Sequence, residues 1–421
     1  MKLLVIGSGG REHAISKKLL ASPLVSTVYC APGNPGMGLD QINCVNISED
    51  NHQALADFAL DQEISWTFVG PEQPLVDGLV DSFALAGLQV FGPSRKAAQI
   101  EGSKEFAKSL MAKYQIPTAD YQVFTEFEPA WQYVRDQGLP LVLKADGLAA
   151  GKGVIIPETL PEAKLALESM LVTKQFGDSG QRVVIEEFLV GEEFSLLAFV
   201  RGGKMYPLEI AQDHKRALAG DKGLNTGGMG AYAPVPQVSK ETVATAITSI
   251  LEPTVAALTA ENCDFSGVLY AGLIATATGP QVIEFNARMG DPETQVLLEH
   301  LTSDLAENIT DIFLGKEPRI TWDQENYHLG VVLASGGYPE AYDRGMEIPK
   351  FKLATNVSVY YSGVTANQEG QLVAAGGRVL MLVSKGKDLK TAQRNIYQEL
   401  KKHDLREYYY REDIGYRGIE S

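Results

Sequence analysis

A chain of 421 residues is long enough for about three domains at roughly 150 residues each. Apolar residues make up 45% and charged residues 21%, near the globular average, which argues against a disordered chain or a fibre. The net charge of −16, from 37 basic and 53 acidic side chains, argues against nucleic acid or an anionic membrane as partner.

Residues 1–102 alternate strand and helix signals. Lys2–Ile6 reads as a strand, Arg11–Leu20 as a helix, Val25–Cys30 as a strand and Glu49–Gln62 as a helix. Trp66–Val69 (strand), Leu75–Ala86 (helix) and Val90–Phe91 (strand) follow. This order predicts a parallel sheet wrapped by helices, with glycine-rich turns at the strand ends. From about 103 the texture becomes α+β. A helix over Ser103–Tyr114 precedes short strands at Leu141–Lys144, Val154–Ile156, Val183–Glu186, Phe194–Val200, Val268–Ala275 and Val282–Phe285. The polar stretch Glu317–Tyr327 reads as a linker to a last domain. That domain has strands near Leu329–Ala334, Val357–Tyr361 and Gly377–Val383, then a helix from about Asp388 to His403. The expected domains are 1–102, 103–325 and 326–421. The middle one carries 31 acidic against 18 basic residues, a charge balance that can hide a cationic site.

Cys30, Cys44 and Cys263 show no CxxC spacing, so reduced thiols are expected rather than disulfides or a zinc site. The apolar start, Leu3–Ile6, is too short for a signal-peptide core, and no run approaches 18 apolar residues. A cytoplasmic chain without a membrane partner is expected.

Three stretches carry chemistry. In Gly7-Ser8-Gly9-Gly10, exposed amides at a helix start suit an anion such as phosphate. A nicotinamide site would want a glycine where Glu12 stands and an acid ending the second strand, which instead runs into Ala31-Pro32. In the second stretch, Leu141–Val154, a strand ends on Lys144, and the Gly- and Ala-rich turn Gly147–Gly153 leads to another strand. Small residues let amides close over phosphates beside a fixed positive charge. Read alone, the same turn suits a plain hairpin with a solvated Lys152. The third is Val282–Arg288. Strand alternation puts Glu284 and Asn286 on one face with Val282, while Ile283 and Phe285 point into a core. A carboxylate beside an amide oxygen suits Mg²⁺, and Mn²⁺ has overlapping preferences. Arg288 would follow where phosphoryl charge develops. Alone, Glu284 and Arg288 read as an ordinary surface pair.

Together with Glu186-Glu187-Phe188-Leu189 and Glu192-Glu193, these parts resemble the ATP-grasp enzymes. Over the whole chain the resemblance narrows to the phosphoribosylamine–glycine ligase family. It is carried by Gly7–His13, Gly92–Ser94, Lys144–Gly153, Gln212–Arg216, Asn225–Gly230 and Arg288–Glu293. Met289 and Leu224 depart from that family's usual residues at positions without a polar role.

The resemblance implies an N-terminal parallel α/β substrate-binding domain, a central ATP-grasp α+β domain with a mobile flap subdomain at about 118–190, and a small C-terminal α+β domain. It implies an ATP-dependent ligase joining glycine to 5-phosphoribosylamine through glycyl phosphate, giving glycinamide ribonucleotide, ADP and phosphate. ATP would be the co-substrate, with Mg²⁺ or Mn²⁺ held by Glu284 and Asn286. Lys104 and Lys144 would contact the phosphates under a flap containing Gly147, Gly151, Lys152 and Gly153. Glu186 and Leu189 would meet the adenine, and Glu193 the ribose. Gly9, Gly10, Glu12, Gly33 and Asn34 would hold phosphoribosylamine, Arg378 would close the site, and Asp213, Lys215 and Arg288 would face the reacting groups. His214 is left as either a catalyst or a hydrogen-bonded neighbour of Asp213. A monomer is expected, with a dimer as the alternative.

Overall fold

The N-terminal strand Lys2–Gly7 lies at the centre of a five-stranded parallel sheet. Its order is Asn43–Cys44, Thr27–Pro32, Lys2–Gly7, Trp66–Val69, Val90–Phe91. The computed structural model describes residues 1–147, 153–173, 182–263 and 265–421. Leu3 and Val5 enter one apolar cluster and Leu4 and Ile6 another, so both faces of this strand are covered, as a parallel sheet requires. The chain builds outward to one side of Lys2–Gly7 and then to the other. The crevice beside Trp66–Val69 is therefore a topological switch point, where such sheets gather ligands. The helix expected over Leu75–Ala86 is two, Glu72–Asp77 and Leu79–Leu85, because Gly78 between them takes φ +90°.

The central region holds two antiparallel sheets. One is ordered Tyr121–Phe124, Val183–Glu187, Leu141–Ala145, Val154–Ile155. It has its own core, in which Leu143, Val183 and Ile185 meet Ala163, Leu167 and Met170. The other is ordered Lys204–Pro207, Glu192–Arg201, Gly267–Thr276, Gly279–Asn286. Glycine-rich Arg201–Lys204 turns the first two of these strands into the expected hairpin.

The last of these strands corrects the expected alternation. Gly272 faces Glu284 and Leu273 faces Val282, so Ile283 is the extra residue of a β-bulge. Val282 therefore faces away from Glu284 into the core, where Phe285 also lies. Ile283 turns toward the cavity described below.

A third sheet runs Gln212–Asp213, Gly230–Ala233, Tyr327–Ser335, Arg378–Gly386, Val357–Tyr361, with Tyr408–Tyr409 pairing on Tyr327–Ser335. Its first two strands come from the region expected to belong to the central domain, so the chain crosses between the two units. The helix Lys240–Ala260 has a mean hydropathy of 1.4 and is long and apolar enough by composition to cross a membrane, although Thr, Ser, Glu and Pro interrupt it and it holds no run of 18 apolar residues. Ala246, Ile250, Leu251, Val255 and Leu258 on it enter the largest apolar cluster. One face of this helix packs on the core while the other is exposed.

Candidate active site

Between the two central sheets lies a cavity of about 900 Å³, a size suited to a nucleotide and its co-substrates. One wall is cationic. Ser103 caps the helix Lys104–Tyr114. The Lys104 backbone N–H donates to Asp146 Oδ1 at 2.7 Å, and its Nζ donates to the Gly147 carbonyl at 2.8 Å. Lys144 Nζ donates to the carbonyl of bulged Ile283 at 2.9 Å and pairs with Glu186 Oε1 at 2.9 Å. Lys108, one helical turn beyond Lys104, takes the other Glu186 oxygen at 3.0 Å. Burial pushes the Lys108 ammonium down to about 8 against the pull of Glu186, and burial also lowers that of Lys104.

The facing strand presents Glu284 and Asn286. Among the described residues the Glu284 carboxylate has no hydrogen-bond or ion-pair partner. Burial raises its pKa, but Lys215, Lys144, Lys104 and Arg288 together outweigh that and hold it below the usual carboxylate range. Asn286 Oδ1 accepts from Arg288 Nη2 at 3.2 Å. Arg288 is also seated by Glu101 Oε1 at 2.7 Å and Glu72 Oε2 at 3.3 Å. Both carboxylates come from the N-terminal side of the chain. Burial raises Glu101 to about 7 despite Arg288. Glu72, although also pushed up by burial, is held at about 2 by Arg288 and Arg11.

Asp213, Lys215 and Glu193 meet at the cavity's far end. Lys215 Nζ lies 3.2 Å from Glu193 Oε2 and 3.6 Å from Asp213 Oδ1. Burial lifts the Asp213 carboxyl to about 6, against Lys215 and with help from Glu293 and Glu193. His214 points elsewhere. Its Nε2 accepts the Gly415 N–H at 2.9 Å, and its Nδ1 lies 3.9 Å from Asp221, so its neighbours are not Asp213. Arg378 reaches in from the third sheet, donating to the Gly227 and Asp291 carbonyls at 2.7 and 2.8 Å and to Asp291 Oδ2 at 3.1 Å.

The N-terminal residues lie apart. Gly9, Gly10, Glu12, Gly33 and Asn34 do not line this cavity, whereas Arg11 and Glu72 do. The helix start expected to attract phosphate already holds a carboxylate, because Glu12 Oε2 accepts the Gly9 N–H at 2.6 Å. Glu12 fills the switch-point crevice: a Cβ at Gly70 would fall 2.1 Å from its Oε1, and one at Gly7 2.6 Å from its Cγ. The Asn34 side chain is also engaged, donating to the Ser8 and Tyr361 carbonyls and accepting from the Gly36 N–H. Gly33 takes φ +66° beside Cys44. Gly151 and Lys152 of the flap lie outside the described residues, whereas Gly147, Gly153, Glu186, Leu189 and Glu193 line the cavity.

Sequence reasoning missed Lys108, Glu72, Glu101 and Glu293. Lys108 had a signal, since residues four apart share a helix face and Lys104 was already placed. Glu293 closes the family motif without an assigned role. Its Oε1 accepts from Tyr270 OH at 2.8 Å and Ser195 Oγ at 3.1 Å. Glu72 and Glu101 reach Arg288 across more than 180 residues of sequence, which no local pattern encodes.

Comparison with known proteins fits this arrangement. Models of the N, ATP-grasp (A) and C domains of phosphoribosylglycinamide synthetase match residues 1–101, 102–294 and 328–417. A phosphoribosylamine–glycine ligase of Streptococcus pneumoniae is 55% identical, and one of Streptococcus suis 52% identical, each over 100% of both chains. The crystal structure of the Thermotoga maritima phosphoribosylamine–glycine ligase superposes with a TM-score of 0.85 at 31% identity, covering 98% of this chain and 100% of that one. A Campylobacter jejuni biotin carboxylase shares the fold alone, with a TM-score of 0.72 at 16% identity over 97% of this chain and 91% of its own. With all three domains matched in order and more than half the residues shared end to end, the chain belongs to the phosphoribosylamine–glycine ligase family, whose ATP-grasp ligases join glycine to 5-phosphoribosylamine in purine biosynthesis.

Proposed function

We propose that this ligation runs in the cavity between the central sheets, with Glu284 and Asn286 as the protein ligands of a Mg²⁺ or Mn²⁺ ion. ATP-grasp enzymes use ATP with divalent metal ions. The observation that carries the assignment is the Glu284 carboxylate, held in its charged form yet bonded to no described residue. Asn286 offers the remaining lone pair of an oxygen that already accepts from Arg288. Hard oxygen donors in a partly filled set fit such an ion, which keeps positions for phosphate and water. When bound, it supplies neutralisation of phosphate charge.

The chain's own residues do the rest. Lys104 and Lys144 hold the phosphates, and the flap with Gly147, Gly151, Lys152 and Gly153 covers them. Leu189 meets the adenine and Glu193 the ribose. Because Lys108 and Lys144 occupy the Glu186 carboxylate, the adenine role of Glu186 narrows to its backbone. Arg288, fixed by Glu72 and Glu101, faces the phosphoryl group as glycine's carboxylate displaces ADP to give glycyl phosphate. Asp213 and Lys215 flank the acyl group when the amine of phosphoribosylamine attacks it and phosphate leaves. Positioning and charge neutralisation suffice, with closure keeping water from the acyl phosphate. Gly9, Gly10, Glu12, Gly33 and Asn34 approach phosphoribosylamine from the switch point, through backbone groups where their side chains are engaged, and Arg378 closes the far side.

The domain limits 1–102, 103–325 and 326–421, a cytoplasmic location and a monomeric state complete the proposal. The test is direct: incubate ATP, glycine and freshly generated phosphoribosylamine with Glu284→Ala and Asn286→Ala variants. Loss of metal-dependent glycinamide ribonucleotide formation by folded protein is expected. Near-normal turnover would remove the metal assignment.

A further inference from the structure

We propose that Asp221 and Arg411 form a clasp through which the C-terminal segment positions Lys215 in the cavity. The proposal rests on the reading of Lys215 given above. Lys215 itself is held on the chain by its own carbonyl, which accepts from the Thr226 N–H and Thr226 Oγ1, both at 2.8 Å. The residues on either side of it are held from the far end of the sequence. His214 Nε2 accepts the Gly415 N–H at 2.9 Å, and the Arg216 carbonyl accepts from Arg411 Nη1 at 3.1 Å.

Asp221 locks this arrangement. It sits in the turn between the strands Arg216–Leu218 and Lys222–Asn225 with φ +52°, the left-handed state that Asp enters more readily than most non-glycine residues. Its Oδ1 takes Arg411 Nη1 at 2.9 Å, and its Oδ2 takes Tyr416 OH at 2.7 Å and Arg417 Nη2 at 2.6 Å. Arg411 is fully buried, and its remaining nitrogens pair with Asp413, which also accepts the Gly220 N–H. One guanidinium thus ties together the turn at Asp221, the backbone next to Lys215 and the C-terminal segment. A planar fork with several donors does this where an ammonium cannot. Asp221 borders the cavity, but its carboxylate is filled by Arg411, Tyr416 and Arg417, so it and Arg411 are positioning residues that act on the reaction through where Lys215 stands. The ATP phosphates are assigned to Lys104 and Lys144, which this clasp does not touch.

The test measures kcat and the KM for ATP in Asp221→Asn, Arg411→Lys, Lys215→Ala and the double variant Asp221→Asn/Lys215→Ala. Asp221→Asn should lower kcat about tenfold or more, with the ATP KM rising by less than kcat falls, since the Lys215–Glu193 pair is its route to the ATP ribose. Arg411→Lys should show the same split between kcat and the ATP KM. In the double variant the losses should not multiply, because Asp221 acts only through Lys215. Wild-type kcat in Asp221→Asn beside an impaired Lys215→Ala would overturn the clasp, as would losses that multiply. Full activity in Lys215→Ala would overturn the reading beneath it, and the proposal with it. Should Asp221→Asn not fold, Arg411→Lys carries the test, since it keeps the positive charge but loses the fork that joins Asp221, Asp413 and the Arg216 carbonyl. Unchanged kcat there overturns the proposal.

Discussion

Two walls of one cavity each present a carboxylate, and the two are used in opposite ways. On the flap-side sheet Glu186 has one oxygen on Lys108 and the other on Lys144, so its charge is fully engaged by the protein. On the facing sheet Glu284 feels Lys215, Lys144, Lys104 and Arg288 but bonds to no described residue. A buried charge with both oxygens paired is structural, and removing it strands its partners. A half-buried charge stabilised at a distance and left open has donor capacity to spare. The same residue type thus reads as frame on one wall and as site on the other, and Lys144 links them through the bulged carbonyl of Ile283.

The largest expected effect breaks the comparison on the open side. Glu284→Gln should cost activity on the order of a hundredfold to a thousandfold with little change in unfolding midpoint. Steady-state kinetics beside thermal melting checks this. Glu186→Gln should do the reverse in kind: two lysines lose their buried counter-charge, and stability should fall by about 3–5 kcal/mol in urea titration. If Glu186→Gln melts like the parent, the clamped wall is not structural.

Smaller effects come from pH. Asp213, raised to about 6 chiefly by burial, should place an acid limb in the rate profile near that value if its ionised form faces the amine. An Asp213→Asn variant should lack that limb. The smallest concerns Glu72, between frame and site. Its pKa in the folded chain is about 2, below its ordinary value of 4.5. The unfolded chain therefore binds more protons between those values. The stability Glu72 contributes is complete above about pH 4.5 and is lost as pH falls toward 2. Glu72→Gln should flatten that part of an acid-unfolding curve.

Much of this was legible in the sequence because it is local. The alternation in residues 1–102, the strand ending on Lys144 and the Glu284-x-Asn286-x-Arg288 spacing each sit within a few residues. What was hidden is of three kinds. The bulge at Ile283 changes which side Val282 faces, and only the pairing with Gly272 and Leu273 reveals it. The Glu101 and Glu72 contacts to Arg288, and Arg411 to Asp221, join positions far apart in the chain. The glycine-rich first loop promised an empty anion cradle, but its own helix supplies the anion in Glu12. A carboxylate three residues past a glycine N-cap is readable as the acidic half of a capping box, which fills the helix start with a protein anion.

The central claim is that Glu284, not Glu186, is the cavity's metal carboxylate. The direct measurement is Mn²⁺ binding, followed by electron paramagnetic resonance, to the full chain with a non-hydrolysable ATP analogue present, comparing the parent with Glu284→Gln and Glu186→Gln. The account predicts that Glu284→Gln loses the bound Mn²⁺ signal while folded Glu186→Gln keeps it. Parent-like Mn²⁺ binding in Glu284→Gln would contradict it.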